Sequence, residues 1–423
     1  MPKLTEVFTP SSVPTYTYVD RSKHQFEEQL REALKVPNRI ISLSGPSKSG
    51  KTVLLRKVIN RDNLIELSGS SINGVDGFWS NILSWMELPS ERAVSRSTSA
   101  EVKLTGKVSG EVGIPVIAQG SVEGAVDAAG KKATETKATF PQANLNAVAR
   151  EIADSNYTVF VDDFHYIPAS VRPDIARQIK AGAERGIRFC TASVPHRSDD
   201  VVRSNPELVG RVKAIDLKYW DNEELAELAD KGFGALNVKL GQNMIPQLVQ
   251  EAFRSPQLMQ SLCLDFGFEA KIESTFLTPA SIDLSPSTMA RVFERTSTTM
   301  DFSSLLDSLH GGPRSRGIDR NKFALSDGTR GDVYRCVLLA LQQDPGRLAI
   351  TYDEMLQRVR RVCIGDDRPS GSSISQALEQ MDRIAASIHP TQVLQWEQDT
   401  LDLVEPYFLF FLRKSTKLAS LSR

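Results

Sequence analysis

Four cysteines and five histidines are all that this chain of 423 residues offers to thiol, imidazole or zinc chemistry. Cys190, Cys263, Cys336 and Cys363 are scattered, sit in apolar surroundings and show no C-x-x-C spacing. They read as reduced core residues, which excludes a disulfide framework and a cysteine zinc site. His165 and His196 stand alone, and no H-E-x-x-H, G-x-S-x-G or H-R-D motif is present. Zinc proteases, hydrolases of the nucleophile-elbow type and protein kinases are thereby excluded. Charge of one sign is also missing: 51 Lys and Arg face 52 Asp and Glu, for a net charge of -1. That balance exerts no global pull toward nucleic acid or acidic lipid, although it can hide a local basic patch. No apolar run approaches the ~20 residues of a membrane helix and no signal peptide opens the chain, so the expectation is a cytoplasmic protein with no membrane partner. With 40% hydrophobic and 24% charged residues a largely disordered chain is excluded. The length suits about two or three domains with proper cores.

What is present is concentrated in GPSKSGKT, Gly45 to Thr52, which meets the G-x-x-x-x-G-K-[ST] pattern directly after the β-like run Arg39 to Leu43. A chain that wraps a polyphosphate brings several backbone N–H groups to it, and glycine tolerates the turns and the close approach, hence Gly45 and Gly50. The helix that follows, Val53-Leu54-Leu55 to Val58-Ile59, points its positive end at the same phosphates. Gly45, Pro46, Ser47, Lys48, Ser49, Gly50, Lys51, Thr52 and Val53 are therefore the expected nucleotide contacts. Lys51 meets the β- and γ-phosphates as a point charge, and the Thr52 hydroxyl ligates Mg²⁺, a hard cation that prefers oxygen. The bland alternative is a Gly/Ser loop before a helix.

Such a loop requires a carboxylate at the end of a neighbouring strand. The run Tyr157-Thr158-Val159-Phe160-Val161 is β-branched and aromatic and ends in Asp162 and Asp163, the pattern of a buried strand. Asp162 is the expected Walker B residue, holding Mg²⁺ through water, and Asp163 stands where a carboxylate can polarise the attacking water. Being a methylene shorter than glutamate, Asp163 implies slow hydrolysis. A cap or turn role for Asp163 is the competing reading. Asn63 to Leu67, Arg188 to Ser193 and Val212 to Leu217 read as further strands, and Gly77 to Met86 as a helix. Strands alternating with helices imply parallel pairing with right-handed crossovers. Thr191 and Ser193 end one strand, either to sense a γ-phosphate or to satisfy backbone.

On these motifs the chain resembles the AAA+ and STAND branches of the P-loop ATPases. Phe8-Thr9-Pro10 and Tyr18-Val19-Asp20-Arg21 look like the segment these families lay against adenine, which makes Tyr18 and Arg21 candidate nucleotide contacts. Asp162-Asp163-Phe164-His165 is similar to the Walker B variant common in STAND proteins. Asn205 to Arg211 looks like the place before the last core strand where an arginine reaches nucleotide, in its own subunit or a neighbour's. The resemblance thus implies Arg211 as a finger or sensor. Asn222 to Ala229 starts a helix with acidic residues at the positive end of its dipole, as in a small lid. Arg254-Ser255-Pro256 resembles the lid motif that places Pro256 near the phosphates, with Arg254 as a second sensor. Proline in the first turn of an ordinary helix is the other reading.

Downstream, Gly328 to Leu341, Tyr352 to Arg361 and Ser373 to Ile384 carry apolar residues at helical spacing. Val393 to Glu397 and Thr400 to Leu403 read as a hairpin turned at Gln398-Asp399. Three helices and a hairpin form a winged-helix pattern, and Leu403 to Arg413 resembles the end of that module in STAND-like ATPases. Its third helix has Glu379 and Asp382 against Arg383, a face that attracts phosphates poorly. It reads first as a protein-contact or nucleotide-sensing module and second as a DNA reader. The Gly-, Val- and Lys-rich segment 101–139 looks like an inserted hairpin or mobile loop, serving either a partner or as a solvated arm. The basic stretch Gly311 to Lys322 reads as a linker that could touch a phosphate backbone.

The expected fold class is α/β, a P-loop parallel sheet with helices on both faces, followed by a helical lid and a winged-helix domain. The expected divisions are 1–218 for the core with its 101–139 insertion, 219–310 for the lid, 311–327 for the linker and 328–423 for the winged-helix-like module. The resemblance implies a Mg-ATP-binding and hydrolysing switch of the AAA+/STAND type, coupling nucleotide state to homo-oligomerisation or to a protein partner in signalling or phage defence. The alternative is a DNA-associated AAA+ ATPase of transposition, replication or repair.

Overall fold

The computed structural model describes residues 1–87, 144–194, 208–313, 320–388 and 393–421. The expected insertion at 101–139, His196, Asn205 to Glu207 and the basic residues Arg314 and Arg316 lie outside the described residues. By contact the chain divides into two units, one of Ser22–Gly45 and Lys51–Leu217 and the other of Met1–Arg21, Pro46–Gly50 and Lys218–Arg423. The first of these units lies within the stretch 1–218 expected as the core. Two stretches expected in that core, Met1–Arg21 and Pro46–Gly50, instead group with the C-terminal part. For the first stretch the reason is apolar burial: Leu4, Val7 and Phe8 join the C-terminal core, and the Phe8 ring lies 4.9 Å from that of Phe233.

The first unit is built on five strands, β1 Ile40–Ser44, β2 Leu64–Ser68, β3 Thr158–Asp162, β4 Arg188–Ser193 and β5 Val212–Asp216. Their order is β2-β3-β4-β1-β5, and every neighbouring pair is parallel. The three inner strands β1, β3 and β4 are buried on both sides because both faces are covered, as parallel sheets require. Period-two alternation then divides the side chains. Val159 and Val161 enter a cluster with Phe78, Trp79, Val148, Ile175 and Ile179. Phe160, between them, enters the opposite cluster with Phe26, Leu30, Leu54 and Leu55. The helices Val75–Trp85 and Arg172–Ala183 thus lie over one face, and Phe26–Lys35 and Lys51–Val58 over the other. Because all five strands run the same way, Ser44, Ser68, Asp162, Ser193 and Asp216 finish at one edge of the sheet.

The second unit is mainly helical. Asn222–Ala235 begins with a capping box, in which the Asp221 side chain accepts from the Glu224 N–H and the Glu224 side chain accepts from the Asp221 N–H. Met244–Glu251, Pro256–Glu269, Pro286–Ser297 and Ser303–Gly311 follow, with a short parallel pair, β6 Val238–Leu240 and β7 Ala280–Ile282. A two-residue antiparallel pair, β8 Phe323–Ala324 and β9 Arg330–Gly331, precedes the helix Val333–Gln342. That helix starts five residues later than the expected Gly328. Gly328 occupies a left-handed turn at φ +80°, and Asp332 caps the helix by accepting from the N–H groups of Tyr334 and Arg335.

After that helix come β10 Ala349–Thr351, the helices Tyr352–Val362 and Gly371–Ile388, and the hairpin β11 Leu394–Glu397 and β12 Thr400–Leu403. These strands form an antiparallel sheet in the order β10-β12-β11. Gln398 and Asp399 both have positive φ, 50° and 57°, the combination a tight two-residue hairpin turn demands. The helix Pro406–Lys414 buries every residue from Pro406 to Leu412, the signature of a helix enclosed on all sides. No helix among the described residues is long and apolar enough to cross a membrane.

Candidate functional site

The run GPSKSGKT joins β1 to the helix Lys51–Val58. Two residues of the turn have positive φ, Lys48 at 63° and Gly50 at 97°. Around Gly50 a Cβ would meet nothing within 4 Å, so its need for glycine is conformational and not steric. Lys51 is buried and donates from Nζ to the Gly45 carbonyl at 2.9 Å. Its ammonium is thereby folded back over the opening of the loop.

Thr52, at the first turn of the helix, donates from Oγ1 to Oδ2 of Asp162 at 2.8 Å. Asp162 ends β3, which lies two strands from β1 with β4 between them. Asp162 also accepts from the Asp163 N–H at Oδ1, 2.9 Å away. Asp163 adopts the left-handed region at φ 51° and ψ 48° and starts the 3-10 turn Phe164–Tyr166 without capping it. Aspartate tolerates that conformation better than most residues. Of the cap or turn reading of Asp163 the structure has the turn, in which its backbone makes a sharp exit from the strand. Gly69, at the end of β2, makes room for that exit: a Cβ there would lie 2.2 Å from the Asp163 carbonyl oxygen. Arg172 then fixes the following turn by donating to the carbonyls of Ile167 at 2.7 Å and His165 at 3.0 Å.

The remaining strand ends add hydroxyl and carboxylate groups to this edge. Ser44 donates from Oγ to Asp216 Oδ1 at 2.9 Å, and Ser44 is the register partner of both Ser193 and Asp216. Thr191 and Ser193 are buried in β4. Cys190 faces the other way into the core, where burial first and the Asp162 charge second push its thiol well up, so it remains a protonated packing residue.

The donor set fits a polyphosphate with a hard divalent cation. A hydroxyl and a carboxylate meet beside a buried ammonium. Ser49, in the loop itself, is 4% exposed, and its hydroxyl is buried without a hydrogen-bond partner. Burying such a group unsatisfied costs about 1–3 kcal/mol, a cost that an acceptor ligand relieves. Pro46, Ser47 and Val53 flank these groups along the same turn and helix start.

Other expected residues lie elsewhere or serve other ends. Arg211 immediately precedes β5, and its carbonyl accepts from the N–H of Ile40, the first residue of β1. It therefore sits at the edge of the sheet opposite Ser44 and Asp162, a strand length of roughly 15 Å away. Its side chain pairs with Glu184 at 2.7 Å. The structure does not bring Arg211 to the phosphate loop of its own chain. Arg21 is buried and pairs with Glu224 at 3.0 Å, donates to the carbonyls of Lys218 and Tyr219, and lies 5.1 Å from the Trp220 ring centroid. These contacts make it an internal anchor in the second unit. Tyr18 is half-buried there, its carbonyl accepting from Lys231 at 3.0 Å. Pro256 is the first residue of its helix behind the Ser255 cap, and Arg254 before it is left-handed at φ 61°.

Two contacts of the loop escaped the sequence. The Trp220 indole N–H donates to the Ser49 carbonyl at 2.9 Å. Lys48 approaches Glu405 at 3.9 Å, and Glu405 caps the helix Pro406–Lys414 through Tyr407 N–H. These contacts account for the grouping of Pro46–Gly50 with the second unit. A tryptophan three residues beyond the last strand's apolar run was the available signal for the first, whereas the second pairs residues 357 positions apart. Beside Trp220, burial and the Asp402 charge push the Tyr219 phenol up to about 12, with Arg254 opposing them.

No protein-family model matches the chain, and no curated protein sequence matches it either. Solved structures do. A Walker-type ATPase of Pyrococcus abyssi is 14% identical with a TM-score of 0.50, covering 92% of this chain and 95% of that one. The ORC2 protein of Aeropyrum pernix is 11% identical with a TM-score of 0.48 over 99% and 98% of the two chains. The RuvB Holliday junction branch migration motor of Thermotoga maritima is 11% identical with a TM-score of 0.39 over 92% and 94%. At these identities the likeness is one of fold, and the first carries it. The chain has the α/β P-loop fold, a parallel central sheet with helices on both faces and a C-terminal helical part.

Proposed function

We propose that this protein binds Mg-ATP at Gly45 to Val53 and hydrolyses it slowly, as a switch of the AAA+/STAND type whose nucleotide state governs self-assembly or a protein partner. The observation that carries the reading is the 2.8 Å contact between Thr52 and Asp162, which joins the loop motif to the carboxylate two strands away. Thr52 and Asp162 supply the oxygen ligands that Mg²⁺ prefers, Asp162 through water. The bound cation supplies neutralisation of charge on the phosphate oxygens. Lys51 exchanges its bond to the Gly45 carbonyl for the β- and γ-phosphates. Asp163 orients the attacking water and accepts its proton, with the shorter aspartate arm keeping turnover low. Arg211, remote from its own loop, acts on the nucleotide of a neighbouring copy.

The C-terminal order of helix, strand, helix, helix and hairpin is that of a winged helix. Residues 328–423 contain twelve Lys and Arg and twelve Asp and Glu. A neutral module lacks the excess of cations that phosphate backbone binding rewards, which favours a protein partner over DNA.

ATP hydrolysis by the purified protein, with and without double-stranded DNA and with Lys51→Ala as control, tests this reading. A low rate that is indifferent to DNA and abolished by the substitution supports it. Strong stimulation by DNA moves the protein to the DNA-associated class, and hydrolysis insensitive to Lys51→Ala removes the site.

A further inference from the structure

We infer that Trp220 and Glu405 are positioning residues for the phosphate loop, one aiming a backbone amide at the nucleotide and the other setting the discrimination between triphosphate and diphosphate. The inference rests on the nucleotide reading above and adds to it how the loop is held. A P-loop is ordinarily described by its own strand and helix. Here its central residues are held by contacts from residues 171 and 357 positions away.

The argument for Trp220 begins with the peptide plane. In a trans peptide the C=O of one residue and the N–H of the next point in opposite directions. The indole donates to the Ser49 carbonyl in a buried contact of 2.9 Å, so the Gly50 N–H is turned away from Trp220. Gly50 has φ +97° and nothing within 4 Å of a built Cβ, so no side-chain packing restrains that residue. The Trp220 ring is in turn held by Arg21, whose guanidinium lies 5.1 Å from its centroid and is buried against Glu224. Loss of the indole N–H frees the peptide to rotate and withdraws one phosphate donor from its aim.

The argument for Glu405 is electrostatic. Lys48 is in the same loop, with a left-handed backbone at φ 63°. Its ammonium lies 3.9 Å from Glu405 Oε2, and that carboxylate is largely buried, with 11% of the side chain exposed. A carboxylate shielded from water acts at longer range than an exposed one. It withdraws Lys48 from the phosphates and repels them, and the repulsion grows with each phosphate charge. Glu405 also caps the helix Pro406–Lys414 and donates its N–H to the Val393 carbonyl, so its position is set by the C-terminal hairpin and helix.

Isothermal titration of the full chain with ADP and with a non-hydrolysable ATP analogue, both with Mg²⁺, tests the inference, with unfolding temperature measured alongside. Trp220→Phe keeps an aromatic ring and removes the donor. It should weaken both nucleotides by roughly 3- to 10-fold, the size of one hydrogen bond, with the chain still folded at the temperature of the titration. Glu405→Gln should tighten the triphosphate analogue more than ADP, shifting their affinity ratio by about 3-fold or more, on the order of one partly screened charge pair. A merely structural role for Glu405 would weaken both nucleotides alike. Lys48→Met should cancel the Glu405→Gln shift in the double variant. Unchanged affinities in Trp220→Phe together with an unchanged ratio in Glu405→Gln overturn the inference while leaving the nucleotide reading intact. A wild-type chain that binds neither nucleotide overturns that reading first.

Discussion

Gly69→Ala tests the site through a residue that touches no ligand in the proposed chemistry. A Cβ at this position would lie 2.2 Å from the Asp163 carbonyl oxygen, 2.9 Å from its carbonyl carbon and 3.3 Å from the Asp162 oxygen. Contacts between carbon and oxygen normally begin near 3.3 Å, so the two elements must part by about 1 Å. Neither partner is a side chain that can rotate aside, because both are backbone at the ends of paired parallel strands, Ser68 opposite Asp162. Overpacking of this kind costs about 1–3 kcal/mol, which for a unit of this size lowers the unfolding temperature by roughly 2–4 °C per kcal/mol. The larger effect falls on chemistry, since a 1 Å displacement of catalytic groups can cost about 100-fold in rate. Phosphate release under saturating Mg-ATP, measured beside a thermal melt, should show a loss in kcat far beyond what the fraction unfolded explains. A variant with wild-type turnover and an unchanged melt would refute the claim that Gly69 seats the Asp162–Asp163 exit.

Asp162→Asn should reduce Mg-dependent hydrolysis by about 100-fold or more while leaving nucleotide affinity in EDTA nearly unchanged, because in the proposed site the carboxylate serves the cation and not the phosphates; titration with and without EDTA checks this. Arg211→Ala should leave nucleotide affinity of the isolated chain untouched and move the unfolding temperature by less than about 2 °C, as an exposed pair with Glu184 contributes about 0–1 kcal/mol. Arg335 is fully buried and donates to Asp327 at 2.8 Å, Thr329 at 3.0 Å and the Leu418 carbonyl at 3.2 Å; Arg335→Ala should cost about 3 kcal/mol or more by chemical denaturation. His310, lowered by burial and then by the neighbouring Arg335 charge, is held neutral in the folded state while Asp332 and Asp307 act in the opposite sense. The unfolded chain therefore binds this proton more readily, and stability should fall as pH drops below about 6.5. His310→Gln should remove that part of the acid sensitivity in melts taken between about pH 5 and 8.

The strands, the tight loop after β1 and the carboxylate end of β3 were legible because each is encoded locally. Tyr157 to Asp163 has no period to misread, and GPSKSGKT carries its own turn chemistry. The hairpin at Gln398-Asp399 was legible for the same reason, since a two-residue polar break separates two alternating runs. The start of the helix at Val333 was not. Gly328 to Gly331 carries no apolar anchor to mark a helix start, and the Asp332 cap and the Gly328 turn, which depend on backbone geometry, set the boundary. The grouping of Met1–Arg21 with the C-terminal part was hidden more deeply, because it rests on Phe8 meeting Phe233 and Arg21 meeting Glu224, contacts across more than 200 residues that no local pattern announces.

The polarity of the sheet decides which of the candidate residues can act on one nucleotide. In a fully parallel sheet a residue that follows a strand lies at one edge and a residue that precedes a strand lies at the other. Lys51, Asp162, Asp163 and Asp216 follow or end β1, β3 and β5 and so share an edge. Arg211 precedes β5, and its carbonyl accepts from Ile40 N–H at the start of β1. No rotamer of arginine spans the strand between them. An arginine in that position contributes to catalysis only if another copy presents its nucleotide edge to it, so assembly and turnover become one question. Hydrolysis that rises more steeply than linearly with protein concentration, and that mixing with Lys51→Ala chains partly restores to Arg211→Ala chains, is the behaviour that the proposed action of Arg211 on a neighbouring copy predicts. A rate strictly proportional to concentration, unmoved by Arg211→Ala, would leave Arg211 as the partner of Glu184 and nothing more.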